Sequence, residues 1–266
     1  MFKTRLASGI ILVILAVLVI VAGGTVLFFA SLVLSLIAAG EFFLAVKVRD
    51  KGAFGPMDVA GYIGIVIYYV GIYFTPMYYW LMYIVADFMI IAFVFVITYP
   101  RYSAYQMLGA FAGIIYTGVL FSCVYLTRCL SHGWLVVWLI ILASWGSDTF
   151  AYCVGMLFGK HKMAPILSPK KSVEGAVGGV AGAALLGFLY ALIFKGPLLT
   201  YTIICAGGAF IAMFGDLTAS GIKRSMGIKD YGTLIPGHGG ILDRFDSVIF
   251  AAPVVELLMI LLPVLS

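Results

Sequence analysis

Residues 6–22 read LASGIILVILAVLVIVA, seventeen positions without a charge. A bilayer core about 30 Å thick is crossed by a helix of roughly 20 mostly apolar residues, so this run has transmembrane length and composition. A second run, TVLFFASLVLSLIAAGEFFLAV (25–46), follows directly after Gly23-Gly24. No small-residue cleavage site of A-x-A type separates them, so the first run is expected to be a retained helix rather than a signal peptide. Runs of the same kind recur at 59–75, 77–97, 104–127, 134–158, 173–194, 198–215 and 247–265. The chain of 266 residues is 64% hydrophobic and only 10% charged, with mean hydropathy +1.17. Soluble domains carry about a quarter charged residues, so a soluble fold is excluded. The expected fold is an all-α integral membrane protein, a polytopic bundle of about nine transmembrane helices with cytoplasmic polar loops. Residues 1–133 would hold helices one to five. Residues 134–266 would hold helices six to nine and the functional face.

The basic residues test that count. With the N-terminus inside, the inner segments hold 14 of the 16 Lys and Arg residues, and only Arg128 and Lys195 fall outside. Such a bias predicts an N-in, C-out, multi-pass protein of the cell's inner (plasma) membrane. Both long polar loops, 159–171 and 216–246, then face the cytoplasm, so the chemistry is expected there. No clear internal repeat is present, which argues against many transporter folds.

The second of these loops ends in SGIKRSMGIKDYGTLIPGHGGILDRFD, Ser220–Asp246, preceded by Asp216. Lys and Arg bind phosphates, carboxylates hold divalent metals, and glycine lets the backbone approach both. A helical extension would place Asp216, Ser220 and Lys223 or Arg224 on one face. The glycines around Pro236 and His238 exclude a regular helix there, and their N–H groups can form a nest around an anion. Asp243 and Asp246, at i and i+3 with Arg244 between, can converge on a metal, with Asp216 completing the set.

Upstream, SPKKSVEGAVGG (168–179) is expected to start a helix at Ser168, with Pro169 at its first position. Lys170 and Lys171 would then lie in the first turn, where a phosphate explains them best. Gly175/Gly179 and Gly178/Gly182, each four apart, predict close helix packing. Asp148, deep in the sixth run, should face a polar cavity or a partner. Asp87 and Glu256 are expected in structural pairs, and Glu41 at the membrane interface. The cysteines lack metal-ligand spacing and read as small buried hydrophobes.

The pattern Ser220-x-x-Lys223-Arg224-x4-Lys229-Asp230-x-Gly232-x-x-Ile235-Pro236-x-His238-Gly239-Gly240-Ile241-x-Asp243-Arg244-Phe245-Asp246 resembles the signature of the phosphatidate cytidylyltransferases, the CDP-diacylglycerol synthases. The stretches Asp148-Thr149-x-Ala151-Tyr152 and Ser168-Pro169-Lys170-Lys171-x-x-Glu174-Gly175 are similar to the family too. Ser172 stands where Thr is more usual, and either hydroxyl can serve. The resemblance covers the chain from about residue 144 on.

It implies a Mg²⁺-dependent reaction in phospholipid biosynthesis. CTP and phosphatidate would give CDP-diacylglycerol and pyrophosphate. Asp216, Asp243 and Asp246 are expected to hold the metal, with a second cation left open. Lys223, Arg224, Lys229, His238, Asp243 and Arg244 form the expected catalytic set. Asp148, Ser168, Lys170, Lys171, Ser172, Glu174, Ser220, Asp230, Gly239 and Gly240 are the expected substrate-binding residues. The partners are CTP, phosphatidate and the bilayer, with no nucleic acid, and a homodimer remains open. The alternatives are a cytidylyltransferase for another lipid phosphate and a membrane transporter.

Overall fold

The structure, a computed structural model, describes residues 2–49, 54–237 and 239–262. Among these residues the chain forms nine helical segments. They are α1 (Phe2–Ala22), α2 (Gly24–Ala45), α3 (Pro56–Phe74), α4 (Met77–Ile97), α5 (Ala104–Cys129), α6 (Gly133–Phe158), α7 (Val173–Phe194), α8 (Leu198–Ser225) and α9 (Leu242–Leu261). Seven of them, α2 to α8, are long and apolar enough to cross a membrane. Gly23 breaks α1 from α2 with φ +58°, a conformation that costs glycine nothing. The one sheet among the described residues is an antiparallel hairpin between α6 and α7, β1 (Lys162–Ala164) with β2 (Ser168–Ser172).

The chain groups into two compact units. One comprises residues 1–122 and 226–244, the other 123–225 and 245–266. The segment 226–244 thus groups with residues 1–122.

In the first unit, Phe43 is fully buried, and its ring lies against Gly61 of α3 and Gly113 of α5. The hydroxyls of Ser35 and Tyr69 join α2 to α3 at 2.7 Å. Asp58 accepts from the Gly55 N–H at 2.6 Å and fixes the start of α3, with Pro56 at its first position. On α4, Leu81, Met89 and Phe93 are exposed, as a lipid-facing surface requires. Asp87 is fully buried on the same helix, and among the described residues neither of its oxygens has a hydrogen-bond partner. The structural pair expected for it is not formed.

In the second unit, α7 packs between α6 and α8. Lipid tails are as apolar as leucine, so helices in a bilayer associate through close packing, not water exclusion. Gly175, Gly178, Gly179 and Gly182 supply that fit. A β-carbon at Gly178 would strike Val154, and one at Gly182 would strike Phe150. Gly215 of α8 likewise admits Phe250 of α9. Glu256 bonds the Cys123 thiol, a structural pair of the kind expected. All four cysteines are free, but only Cys205 is fully buried, whereas Cys129 and Cys153 are exposed.

Candidate active site

In the second unit, the polar residues collect where α6, the hairpin, α7, α8 and the start of α9 meet. A cavity of about 460 Å³ is lined by Asp148, Lys170, Lys171, Ser172 and Asp216, with Tyr152, Met156 and Met213 supplying apolar wall. Asp148 is delivered by α6 just after a π-helical turn, Leu142–Gly146, a local widening often found beside functional groups. Its Oδ2 accepts from Ser247 Oγ at 3.2 Å. Lys171 Nζ makes an ion pair with Asp216 Oδ2. One turn along α8, Ser220 Oγ donates to Asp216 Oδ1 at 3.4 Å, so the expected polar extension of this helix exists.

Asp246 is buried at the polar start of α9, ahead of the span expected over 247–265. Burial, then the charges of Asp216 and Asp148, push its carboxyl up to about 7, while Lys223 pulls the other way. Three acids therefore share one electrostatic neighbourhood, partly neutralised by Lys171 and Lys223. Among the described residues no group of three His, Cys, Asp or Glu side chains is placed to hold a metal ion by itself. The donors nonetheless fit Mg²⁺. They are hard oxygens, and Mg²⁺ is usually held by one or two carboxylates, water and substrate phosphates.

The hairpin corrects one expectation. Helix α7 begins at Val173, not at Ser168, and its N-cap is Ser172, whose Oγ accepts from the Gly175 N–H at 3.1 Å. Pairing of Lys162 with Ser172 and of Ala164 with Ser168 holds 168–172 extended. Lys170 and Lys171 are therefore strand residues, and the helix-dipole argument for them does not apply. Glu174 accepts from the N–H groups of Lys160 (3.1 Å) and His161 (3.2 Å) and bonds His161 Nδ1 at 2.6 Å. Its carboxylate thereby fastens the start of the loop to the first turn of α7.

In the first unit, the glycine segment forms a closed turn. The Ile235 N–H donates to the Gly239 carbonyl at 2.9 Å, and Gly239 takes φ +88°. Ser8 of α1 donates to the Pro236 carbonyl at 3.1 Å. Asp243 Oδ2 accepts from the N–H groups of Tyr231 (2.8 Å) and Gly240 (3.0 Å). Glu41 of α2 then accepts from Ile241 (Oε1, 3.0 Å) and Leu242 (Oε2, 2.8 Å) at the head of α9. Of the backbone N–H groups here, those of Tyr231 and Gly240 are thus taken by Asp243 and those of Ile241 and Leu242 by Glu41.

Arg224, Lys229, Asp230 and Arg244 are exposed, and His238 lies outside the described residues. Glu41 is the residue that the sequence reading missed. It is buried within the fold, and its partners stand 200 and 201 positions away. A lone acid near the end of an apolar run was the only signal.

The chain matches the family model described as the cytidylyltransferase family over residues 3–262. It is similar to the phosphatidate cytidylyltransferase of Staphylococcus saprophyticus, 34% identical over 262 residues, covering 97% of this chain and 99% of the relative. The phosphatidate cytidylyltransferase of Staphylococcus aureus strain COL is 32% identical over 263 residues with the same coverage. That of Staphylococcus haemolyticus is 38% identical over 170 residues, 62% of this chain and 64% of the relative.

Proposed function

The chain belongs to the cytidylyltransferase family, and from that premise we propose how its residues carry out CMP transfer from CTP to phosphatidate. The products are CDP-diacylglycerol and pyrophosphate. The observation that carries this reading is coverage: the similarity to the two staphylococcal enzymes extends over 97% of the chain, so it takes in the membrane helices and the polar segments together.

The phosphatidate phosphate is already an anion. One of its oxygens attacks the α-phosphorus of CTP, the new P–O bond forms, and the α–β phosphoanhydride breaks to release pyrophosphate. No strong base is needed, so catalysis rests on positioning and on charge neutralisation. Lys170, Lys171, Lys223, Arg224, Lys229 and Arg244 are assigned to the phosphates of the two substrates. His238 donates to the leaving pyrophosphate or to an α-phosphate oxygen. Lys171, now paired with Asp216, exchanges that carboxylate for a nucleotide phosphate and leaves Asp216 to a cation. Asp216 and Asp246 are the carboxylates assigned to Mg²⁺, with Asp243 the third acid of the set. When bound, Mg²⁺ supplies positive charge to the phosphoryl oxygens. Asp148 and Ser220 orient neighbours through the hydrogen bonds they already make. The N-terminus and both polar loops are assigned to the cytoplasm, where CTP is found, within the bacterial inner membrane.

Purified protein in detergent, given labelled CTP, Mg²⁺ and phosphatidate, is expected to form a labelled CDP-lipid and pyrophosphate. Acceptance of a different lipid phosphate, with phosphatidate refused, would sink the substrate assignment. Absence of nucleotidyl transfer to any lipid phosphate would sink the reaction.

A further inference from the structure

The segment between α8 and α9 is rich in glycine, yet on the proposed reading it presents Lys229, Asp230 and Asp243 in a fixed arrangement. Asp243 closes it from within, by accepting from Tyr231 and Gly240. A second fastening comes from outside the segment. Glu41, buried near the end of α2, places one carboxylate oxygen on the N–H of Ile241 and the other on the N–H of Leu242. These are among the donors at a helix start that have no partner within the helix, and a carboxylate there is favoured by the helix dipole. The fit is tight on the loop side as well. A β-carbon at Gly232 or at Gly240 would collide with the Glu41 carboxylate.

We propose that Glu41 is a positioning residue for nucleotidyl transfer: from α2 it locks the glycine segment and the first turn of α9, and so fixes where Asp243 and its neighbours stand. The proposal rests on the reading that residues 229–246 handle the substrate phosphates. Glu41 itself need touch no substrate. Its bidentate geometry sets what can replace it. Glutamine keeps one acceptor and turns an amide NH₂ toward the other N–H, while alanine leaves both buried N–H groups unsatisfied.

The test compares wild type, Glu41→Gln, Glu41→Ala and Gly240→Ala as full-length protein in detergent. It reads kcat and KM for CTP and phosphatidate at saturating Mg²⁺, together with hydrogen exchange along the chain. The Glu41 variants are expected to lose about 10- to 100-fold in kcat, the usual range for removing a group that orients a site. KM should change less than kcat. Exchange should rise in peptides covering 229–244, with α7 and α8 protected as in wild type. Gly240→Ala, which pushes on the same carboxylate from the other side, should reproduce the pattern. Wild-type kcat and wild-type exchange in both Glu41 variants would overturn the proposal. So would exchange raised evenly through the molecule, or failure of both variants to fold, since either makes Glu41 a general stability residue. A loosened 229–244 segment with kcat unchanged would overturn the role in the reaction in a different way, by taking the segment out of the phosphate chemistry.

Discussion

The Asp243 carboxylate accepts from two backbone N–H groups, those of Tyr231 and Gly240, and it is one of three acids assigned to a cation. Asparagine in its place halves the acceptor capacity and removes the charge. Asp243→Asn is therefore expected to lower turnover by at least about 10²-fold, since charge stabilisation by a bound metal is worth several kcal/mol. Steady-state transfer rates across a Mg²⁺ titration check this. Near-normal Mg²⁺-dependent turnover would remove Asp243 from both duties. At this scale the sequence was partly legible. The types and spacing of Asp216, Asp243 and Asp246 are what suggest cation and phosphate chemistry, and the ion pair and hydrogen bonds around them are read only from the fold. What spacing could not convey is that Lys171 pairs with Asp216, or that a glutamate two hundred positions away holds the start of α9. Those contacts depend on tertiary packing, which leaves no periodic trace in the chain.

At the scale of elements, the helices were legible because a bilayer imposes their length. A crossing segment needs enough apolar residues to span the hydrocarbon and must satisfy its own backbone, so the runs at 77–97 and 173–194 became helices with the same bounds. The polar ends were less legible. Helix α8 continues to Ser225, past the apolar run, and α9 starts at Leu242, five residues ahead of its apolar run. The hairpin was missed because Ser168-Pro169 imitates a helix start, while its pairing with Lys162–Ala164 is a non-local fact. That correction changes what Ser172 is expected to do. As N-cap of α7, its hydroxyl serves the helix, so Ser172→Ala should cost about 0.5–2 kcal/mol of stability, and Ser172→Thr should restore it. Thermal unfolding in one detergent reads the difference. Equal unfolding midpoints for Ser172→Ala and wild type would show that the hydroxyl is not a cap.

At the scale of the whole molecule, the distribution of charge gives a prediction that no single element can. Fourteen of sixteen basic residues fall on one side under the assigned topology, with Arg128 and Lys195 on the other. The positive-inside bias acts during insertion through short loops near helix ends, which is where these residues lie. Lys195 sits in the short turn between α7 and α8, and Lys229 in the segment between α8 and α9. An odd number of crossings must separate them, and α8 is apolar and 28 residues long. In a background with the four natural cysteines replaced, Lys195→Cys and Lys229→Cys should therefore respond oppositely to a membrane-impermeant maleimide. Right-side-out vesicles should label position 195 and spare 229, and inverted vesicles should do the reverse. Labelling of both positions from one side would mean that α8 does not cross. Labelling of 229 from the outside would place the segment assigned to the substrate phosphates away from CTP, which is incompatible with the assigned reaction. The test thus reaches beyond topology, because a site assembled on the cytoplasmic face is the condition under which a soluble nucleotide and a membrane lipid can meet.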